Sequence, residues 1–318
     1  MNKNIVIMYA GDDWEKEIPI TNEGTRLAIQ DWMRRAERAN IGLYRASVKW
    51  YDLEKNIFTK GWTFSDGTWR KVQSEISADL IYDKVLSKYD YSLLDFKLKI
   101  AQKTRLFNDP LFRATFNSKL SQYAMFGEFM PLTRIANNKN ELELAISQNK
   151  TDKIVIKPLY GSGGFGIFIG EISNAFSGEY TYPVLVQEFI TSEKGIPGFS
   201  PKDEVSDIRL VYQGGKMAYA LSRIAAAGSL FTNLHQGATG KMIPKEKIPE
   251  CMKEMIKVIN NKISVFPNAQ YSLDFIFDND GRPYFIEMNT CPGIDLVTFL
   301  GDEKTKQENF ETISELLK

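Results

Sequence analysis

The sequence predicts a mixed α/β and α+β chain built of more than one subdomain, and three observations carry that expectation. An apolar run at Ile5–Ala10 is followed by a helical pattern. A glycine-rich segment at 161–166 lies between two strand patterns. Two apolar, aromatic-rich runs between Tyr271 and Pro292 flank Asp280-Gly281, a strong hairpin signal. With 318 residues, the chain can bury a substantial core divided among two or three such units.

The elements follow in order. After the first strand, Leu27, Ala28, Trp32, Met33 and Ala36 recur at helical spacing between Thr25 and Ala39. Strand-like runs at Leu43–Tyr51 and Ile57–Phe64 precede a Ser65-Asp66-Gly67 turn, a strand at Leu80–Tyr82 and a helix at Leu93–Thr104. This opening third suits a small α/β domain of the doubly wound kind. Trp14, Trp32, Trp50, Trp62 and Trp69 all lie in it; core packing accounts for such residues in general, and lining of a substrate pocket is the sharper reading. Helices are expected at Ser118–Phe126 and from Asn140 to Ser147, and strands at Lys153–Lys157, Phe165–Ile172 and Pro183–Gln187. Ile208–Ile224 reads as a hairpin about Gly214-Gly215, and Lys245–Lys262 as an amphipathic helix. Ser192–Ser206, rich in Gly, Pro and charge, reads as a mobile insertion.

Forty basic residues balance forty acidic ones with no single-sign block, which argues against a dedicated nucleic-acid or membrane-surface binder. Cys251 and Cys291 are the only cysteines, so neither a disulfide framework nor a zinc site is expected. The apolar run near the N-terminus is too short for a signal peptide or membrane span, and a cytoplasmic protein is the expectation.

If Asp280-Gly281 is a two-residue loop, antiparallel pairing places Asp274 opposite Glu287, with Asn289 two residues further on the same face. Opposed like charges destabilise a sheet, so a cation between them is expected. Two carboxylates and an amide oxygen suit Mg²⁺ holding a nucleotide's phosphates. The plain alternative is a hairpin with two acids at a solvated edge. It is weakened by Phe275, Ile276, Phe277, Phe285 and Ile286, which make both faces apolar.

Gly161, Ser162, Gly163, Gly164, Phe165 and Gly166 match G-x-G-x-x-G. A dinucleotide fingerprint must enter a helix, whereas here IFIGEI comes next, so the loop joins two strands. There is no G-K-[ST], and no H-R-D or D-F-G motif. Glycines let backbone N–H groups approach phosphate oxygens, and Lys157 stands four residues ahead of the loop. The segment VLVQEFI at 184–190 can offer backbone groups to an adenine edge while its apolar side chains hold the ring.

Taken together, IKPLYGSGGFGI, VLVQEFI, DIRLVY, SRIAAAGSLFTNLHQG and LDFIFDNDGRPYFIEMNTCPG fall in an order that resembles the ATP-grasp superfamily, and within it the glutathione-synthetase/RimK-type carboxylate–amine ligases, over about residues 105–295. The resemblance implies an ATP-grasp fold, two α+β subdomains gripping ATP, behind a small α/β pre-grasp domain. The boundaries drawn from it are 1–110 for the pre-grasp domain, 111–187 for the lid subdomain with the glycine-rich loop, and 188–318 for the subdomain with the metal site. It implies that Lys119 and Lys157 contact the nucleotide phosphates, that Gln187, Glu188, Phe189 and Ile190 form the adenine hinge, and that Glu193 binds the ribose. Asp274, Glu287 and Asn289 would hold Mg²⁺, with Mn²⁺ an acceptable substitute. Arg209 and Arg223 would face the transferred phosphate and the acyl intermediate, and Asn233 lies in the loop expected to close over them. The family's second glycine is here Ala238, and His235 is the single histidine. The implied reaction is ATP-dependent amide formation between a small-molecule or peptide carboxylate and an amine, without nucleic acid or membrane partners and compatible with a homo-oligomer. A kinase on the same scaffold and a non-catalytic, coat-associated nucleotide-binding protein are the alternatives.

Overall fold

The computed structural model describes residues 3–85, 91, 93–161, 163–199, 204–232 and 237–318. Ser162, Asn233 and His235 therefore lie outside the described residues, as does part of the expected 192–206 insertion.

The first unit is a six-stranded sheet. Its strands are β1 (Asn4–Tyr9), β2 (Gly42–Ser47), β5 (Gly61–Ser65), β6 (Thr68–Val72), β7 (Leu80–Asp83) and β8 (Arg105–Phe107), in the order β6-β5-β2-β1-β7-β8. A short hairpin, β3 (Tyr51–Asp52) with β4 (Ile57–Phe58), interrupts the sequence. β1 runs parallel to β2 and β7, and β7 to β8. Helix α1 (Glu23–Arg38) starts at Asn22, whose side chain accepts from the Thr25 N–H, and buries Ala28, Ile29, Trp32, Met33 and Ala36. Helix α2 (Leu94–Ala101) precedes β8.

The next two helices, α3 (Pro110–Phe116) and α4 (Lys119–Phe126), lead into a four-stranded antiparallel sheet. It contains β9 (Thr133–Ala136), β10 (Lys153–Pro158), β11 (Phe168–Glu171) and β12 (Val184–Glu188), in the order β11-β10-β12-β9, backed by α5 (Lys139–Ser147) and α6 (Ile172–Ala175). A five-stranded antiparallel sheet comes after it, with β13 (Ser206–Gln213), β14 (Lys216–Ile224), β15 (Thr239–Ile243), β16 (Gln270–Phe277) and β17 (Pro283–Asn289), in the order β15-β14-β13-β16-β17. Helix α7 (Lys253–Ile263) covers one face of it, burying Ile256, Ile259 and Ile263. The chain ends in α8 (Asp295–Leu300) and α9 (Glu303–Ser314).

Packing crosses the boundaries drawn from chain order. Phe112, Phe116 and Phe126, from α3 and α4, share a core with Leu210, Tyr271, Phe275 and Phe285 of the five-stranded sheet. Phe310 and Ile313 of α9 return to the first unit, beside Trp32 and Tyr82.

The hairpin differs from its expected geometry. Near the turn, Phe277 pairs with Pro283, and the Asp278 N–H donates to the Arg282 carbonyl, leaving a three-residue loop, Asn279–Gly281. Of the two residues expected at positive φ, only Gly281 adopts it, at 83°. A bulge between Asp274 and Phe275 then shifts the register by one residue, so Asp274 does face Glu287 and Ser272 faces Asn289.

Candidate active site

A cleft of about 400 Å³ lies between the two antiparallel sheets. Its size is that of a small-ligand pocket. Val155, Ile167 and Ile169 from one sheet and Ile276 and Ile286 from the other supply apolar walls. Lys157, Asp207, Arg209, Arg223, Asp274, Glu287 and Asn289 supply the charged and polar part.

Register explains how distant residues meet. Arg209 on β13 lies opposite Asp274 on β16, which lies opposite Glu287 on β17. Arg209 grips Asp274 through two hydrogen bonds, Nε to Oδ1 at 2.7 Å and Nη2 to Oδ2 at 2.6 Å. Arg223 donates to Asp274 at 2.8 Å and pairs bidentately with Asp207, its cross-strand neighbour. Burial opposes ionisation of Asp274, yet Arg209 and Arg223 outweigh it and hold the carboxyl below its usual range. Burial likewise opposes the Arg223 charge, and Asp207 and Asp274 restore it. The cations expected beside the two opposed carboxylates are present as side chains. Arginines neutralise Asp274, and Lys119 lies 3.3 Å from Glu287.

Helix α4 places that lysine. One turn further along it, the Gln122 side chain donates to the Met288 carbonyl and accepts from the Met288 N–H, both at 2.8 Å, bracing the outer edge of β17. Lys119 consequently reaches both Glu287 and the Gly161 carbonyl, the latter at 2.7 Å. Lys157, on β10, is 4% exposed, and its ammonium has only the Ile286 carbonyl at 3.5 Å as a hydrogen-bond partner among the described residues. Burial lowers its pKa to about 8; Glu287 opposes the fall and Lys119 adds to it.

The glycine-rich loop joins β10 to β11, with Gly161, Gly163, Gly164 and Gly166 all at positive φ. Phe165 stands 74% exposed at its tip. At the expected hinge, the buried Gln187 turns its side chain to the Thr133 hydroxyl, and the Glu188 N–H donates to the Leu132 carbonyl. That N–H is therefore committed within the protein. Phe189 and Ile190 continue along the cleft past the end of β12, followed by Glu193, which is exposed.

Three solved or curated proteins set this geometry in context. D-alanyl-alanine synthetase A from Vibrio cholerae superposes with a TM-score of 0.63 at 13% identity, covering 99% of this chain and 98% of that one. A RiPP-associated ATP-grasp ligase of Chryseobacterium gregarium, in complex with ADP and a leader and core peptide, gives 0.61 at 13% identity, covering 99% and 97%. The chain has the ATP-grasp fold. The family profile of the prokaryotic glutathione synthetase ATP-grasp domain matches residues 118–265. A probable alpha-L-glutamate ligase of Chromohalobacter salexigens is 28% identical over 175 residues, 52% of this chain and 51% of the relative. The chain thus spans about half the length of the curated relatives it matches.

Within this fold the donor set fits a hard divalent cation. Asp274, Glu287 and Asn289 share one face of the β16–β17 pair, and Asn289 keeps a lone pair beyond its Oδ1 contact with the Cys291 N–H. No group of three His, Cys, Asp or Glu placed to hold a metal ion occurs among the described residues, so phosphate and water oxygens would have to complete the shell. Sequence reasoning missed Asp207, which also accepts from the Thr232 hydroxyl at 2.6 Å. Its signal was present: Asp207 precedes Arg209 by two residues, the spacing that puts both on one strand face. No helix among the described residues is long and apolar enough to cross a membrane.

Proposed function

We propose that the protein is an ATP- and Mg²⁺-dependent carboxylate–amine ligase, ADP-forming, acting on an amino acid, a peptide or a protein tail. The observation that carries the reading is the charged row Arg209–Asp274–Glu287–Lys119, laid across one sheet and joined through Lys119 to the glycine-rich loop of the other. Lys157 and Lys119 offset phosphate charge, and the glycines expose backbone N–H groups to phosphate oxygens. Ile276 and Ile286 face Val155 and Ile169 as walls for the base, with Gln187–Ile190 as the hinge and Glu193 toward the ribose. Asp274, Glu287 and Asn289 hold the metal, which when bound supplies electrostatic stabilisation at the phosphates; Mn²⁺ has the same ligand chemistry.

The substrate carboxylate is phosphorylated to an acylphosphate, turning a poor leaving group into a good one. An amine then displaces phosphate. Arg209 and Arg223 hold the developing negative charge, so positioning and electrostatics do the work without a nucleophilic triad. Asn233 belongs to the segment expected beside them. The substrates are small carboxylates and amines or peptides, with no nucleic acid or membrane partner, in a cytoplasmic setting; a homo-oligomer is compatible with this reading.

Hydroxylamine trapping tests it. With ATP, Mg²⁺ and a panel of amino acids and dipeptides, a ligase forms a hydroxamate from its acid substrate. A kinase releases ADP without hydroxamate, and that outcome would replace the ligase reading.

A further inference from the structure

Along β17 and just beyond it, Ile286, Glu287, Asn289, Cys291, Gly293 and Asp295 all line the cleft. On the ligase reading, the stretch past Asn289 is the part of the cleft open to the substrates, and Arg209 and Asp295 both act there on the Tyr219 hydroxyl. Two hydrogen bonds shape that stretch: Lys84 donates to the Pro292 carbonyl at 2.6 Å, and the Tyr219 hydroxyl to the Gly293 carbonyl at 3.4 Å. Asp295 also abuts the first unit, because a methyl on Gly24 at the start of α1 would lie 3.4 Å from its Oδ2.

Asp295 differs from the three carboxylates of the phosphate end. Asp207, Asp274 and Glu287 all have cationic partners, whereas the Asp295 carboxylate makes no ion pair or hydrogen bond among the described residues. It is half-buried in the cleft wall, and its field acts on the buried Tyr219 hydroxyl in opposition to that of Arg209. A partly desolvated carboxylate without a counter-ion attracts a cation.

We propose that Asp295 binds the ammonium group of the amine substrate, an amino acid or peptide, and takes up the proton it loses as its nitrogen bonds to the acylphosphate carbonyl carbon and phosphate leaves with the electron pair of the broken C–O bond. This rests on the ligase reading and names the acceptor class for the same cleft. A role confined to the first turn of α8 would stabilise the helix whatever the charge of the acceptor.

The test uses the full chain with Asp295→Asn and Asp295→Glu, on the acid and acceptor found by the amino-acid and dipeptide panel. Hydroxylamine, uncharged at neutral pH, serves as the control nucleophile. The expected result for Asp295→Asn is an acceptor KM raised about tenfold or more, the size of a lost charge-assisted contact. Its KM for ATP and its hydroxamate yield with hydroxylamine should stay at wild-type values, and Asp295→Glu should recover part of the acceptor KM. Equal acceptor KM values in wild type and Asp295→Asn overturn the assignment, as does an equal loss with hydroxylamine. A wild-type protein that forms no hydroxamate from any acid overturns the ligase reading itself, a different result from either.

Discussion

Lys157 should be a residue that costs stability for the sake of binding, and Lys157→Met measures both sides. Its ammonium is buried, with one long contact to the Ile286 carbonyl, and its pKa falls from 10.5 to about 8. Because the folded-state value lies below the unfolded one, the unfolded chain binds more protons between those limits. Stability should therefore rise with pH from about 8 to about 10.5, and the full penalty is present below about 8. That gap corresponds to about 3 kcal/mol at neutral pH. Methionine matches the length of the stem without the charge, so Lys157→Met should gain up to about that much in the ligand-free protein, with imperfect packing subtracting from it. Thermal or denaturant unfolding at pH 7 should show the variant more stable than wild type, and the difference should shrink above pH 8. Adding ATP and Mg²⁺ should reverse the order, since wild type gains stability by binding and the variant gains little. A variant less stable than wild type without nucleotide, or one with an undiminished nucleotide-induced shift, would refute the reasoning.

Glu287→Gln should lower ATP turnover by orders of magnitude while leaving the fold intact, because the glutamine still accepts from Lys119; phosphate release and circular dichroism check both. It is a cleaner probe than Asp274→Asn, which strips charge from a buried carboxylate held by two arginines and should destabilise by about 3–5 kcal/mol. Gly161 has φ 108° and open space on the side where alanine would carry its methyl, with nothing within 4 Å, so Gly161→Ala adds backbone strain without a clash. Unfolding measurements should show a loss of about 1–2 kcal/mol, or nucleotide titration a weaker affinity as the loop relaxes away from Lys119. Calorimetry with Mg²⁺ alone should detect far weaker binding than with ADP present, since arginines already occupy Asp274.

The topology of the site was legible where short-range pattern decides it. Strand alternation and the turn at Asp280-Gly281 were enough to bring Asp274 to Glu287, although by compensation: the real loop is one residue longer than a two-residue turn, and the bulge after Asp274 restores the register. Sequence pattern does not reveal a bulge, because it conserves neither loop length nor strict alternation. The partnership of Asp274 with Arg209 and Arg223 was hidden for another reason. It depends on which strand lies beside β16, and β13 is separated from it by the whole of β14, β15 and α7. The placement of α3, α4 and α9 was illegible too, since their apolar faces specify burial but not the sheet that receives them.

The buried charges divide into two kinds, and the division bears on function more than any one motif does. Away from the cleft each has an opposite charge in contact: Asp83 is held by Lys97 and Arg113, and Arg35 by Asp31 and Glu303. Such sets tie β7 to α2 and α3, and α1 to α9, with every charge in contact with an opposite one. At the cleft's phosphate end, Lys119, Lys157, Arg209 and Arg223 stand against Asp207, Asp274 and Glu287, four cations against three carboxylates. The surplus resides on Lys157, the cation with no carboxylate in contact. A bare divalent ion would have to enter this already positive cluster and displace an arginine from Asp274. Polyphosphate arriving with the ion reverses the balance, because its oxygens can take over the arginines and lysines while the carboxylates turn to the metal. The mismatch is thus a measure of what the ligand must bring: a metal and several negative charges together.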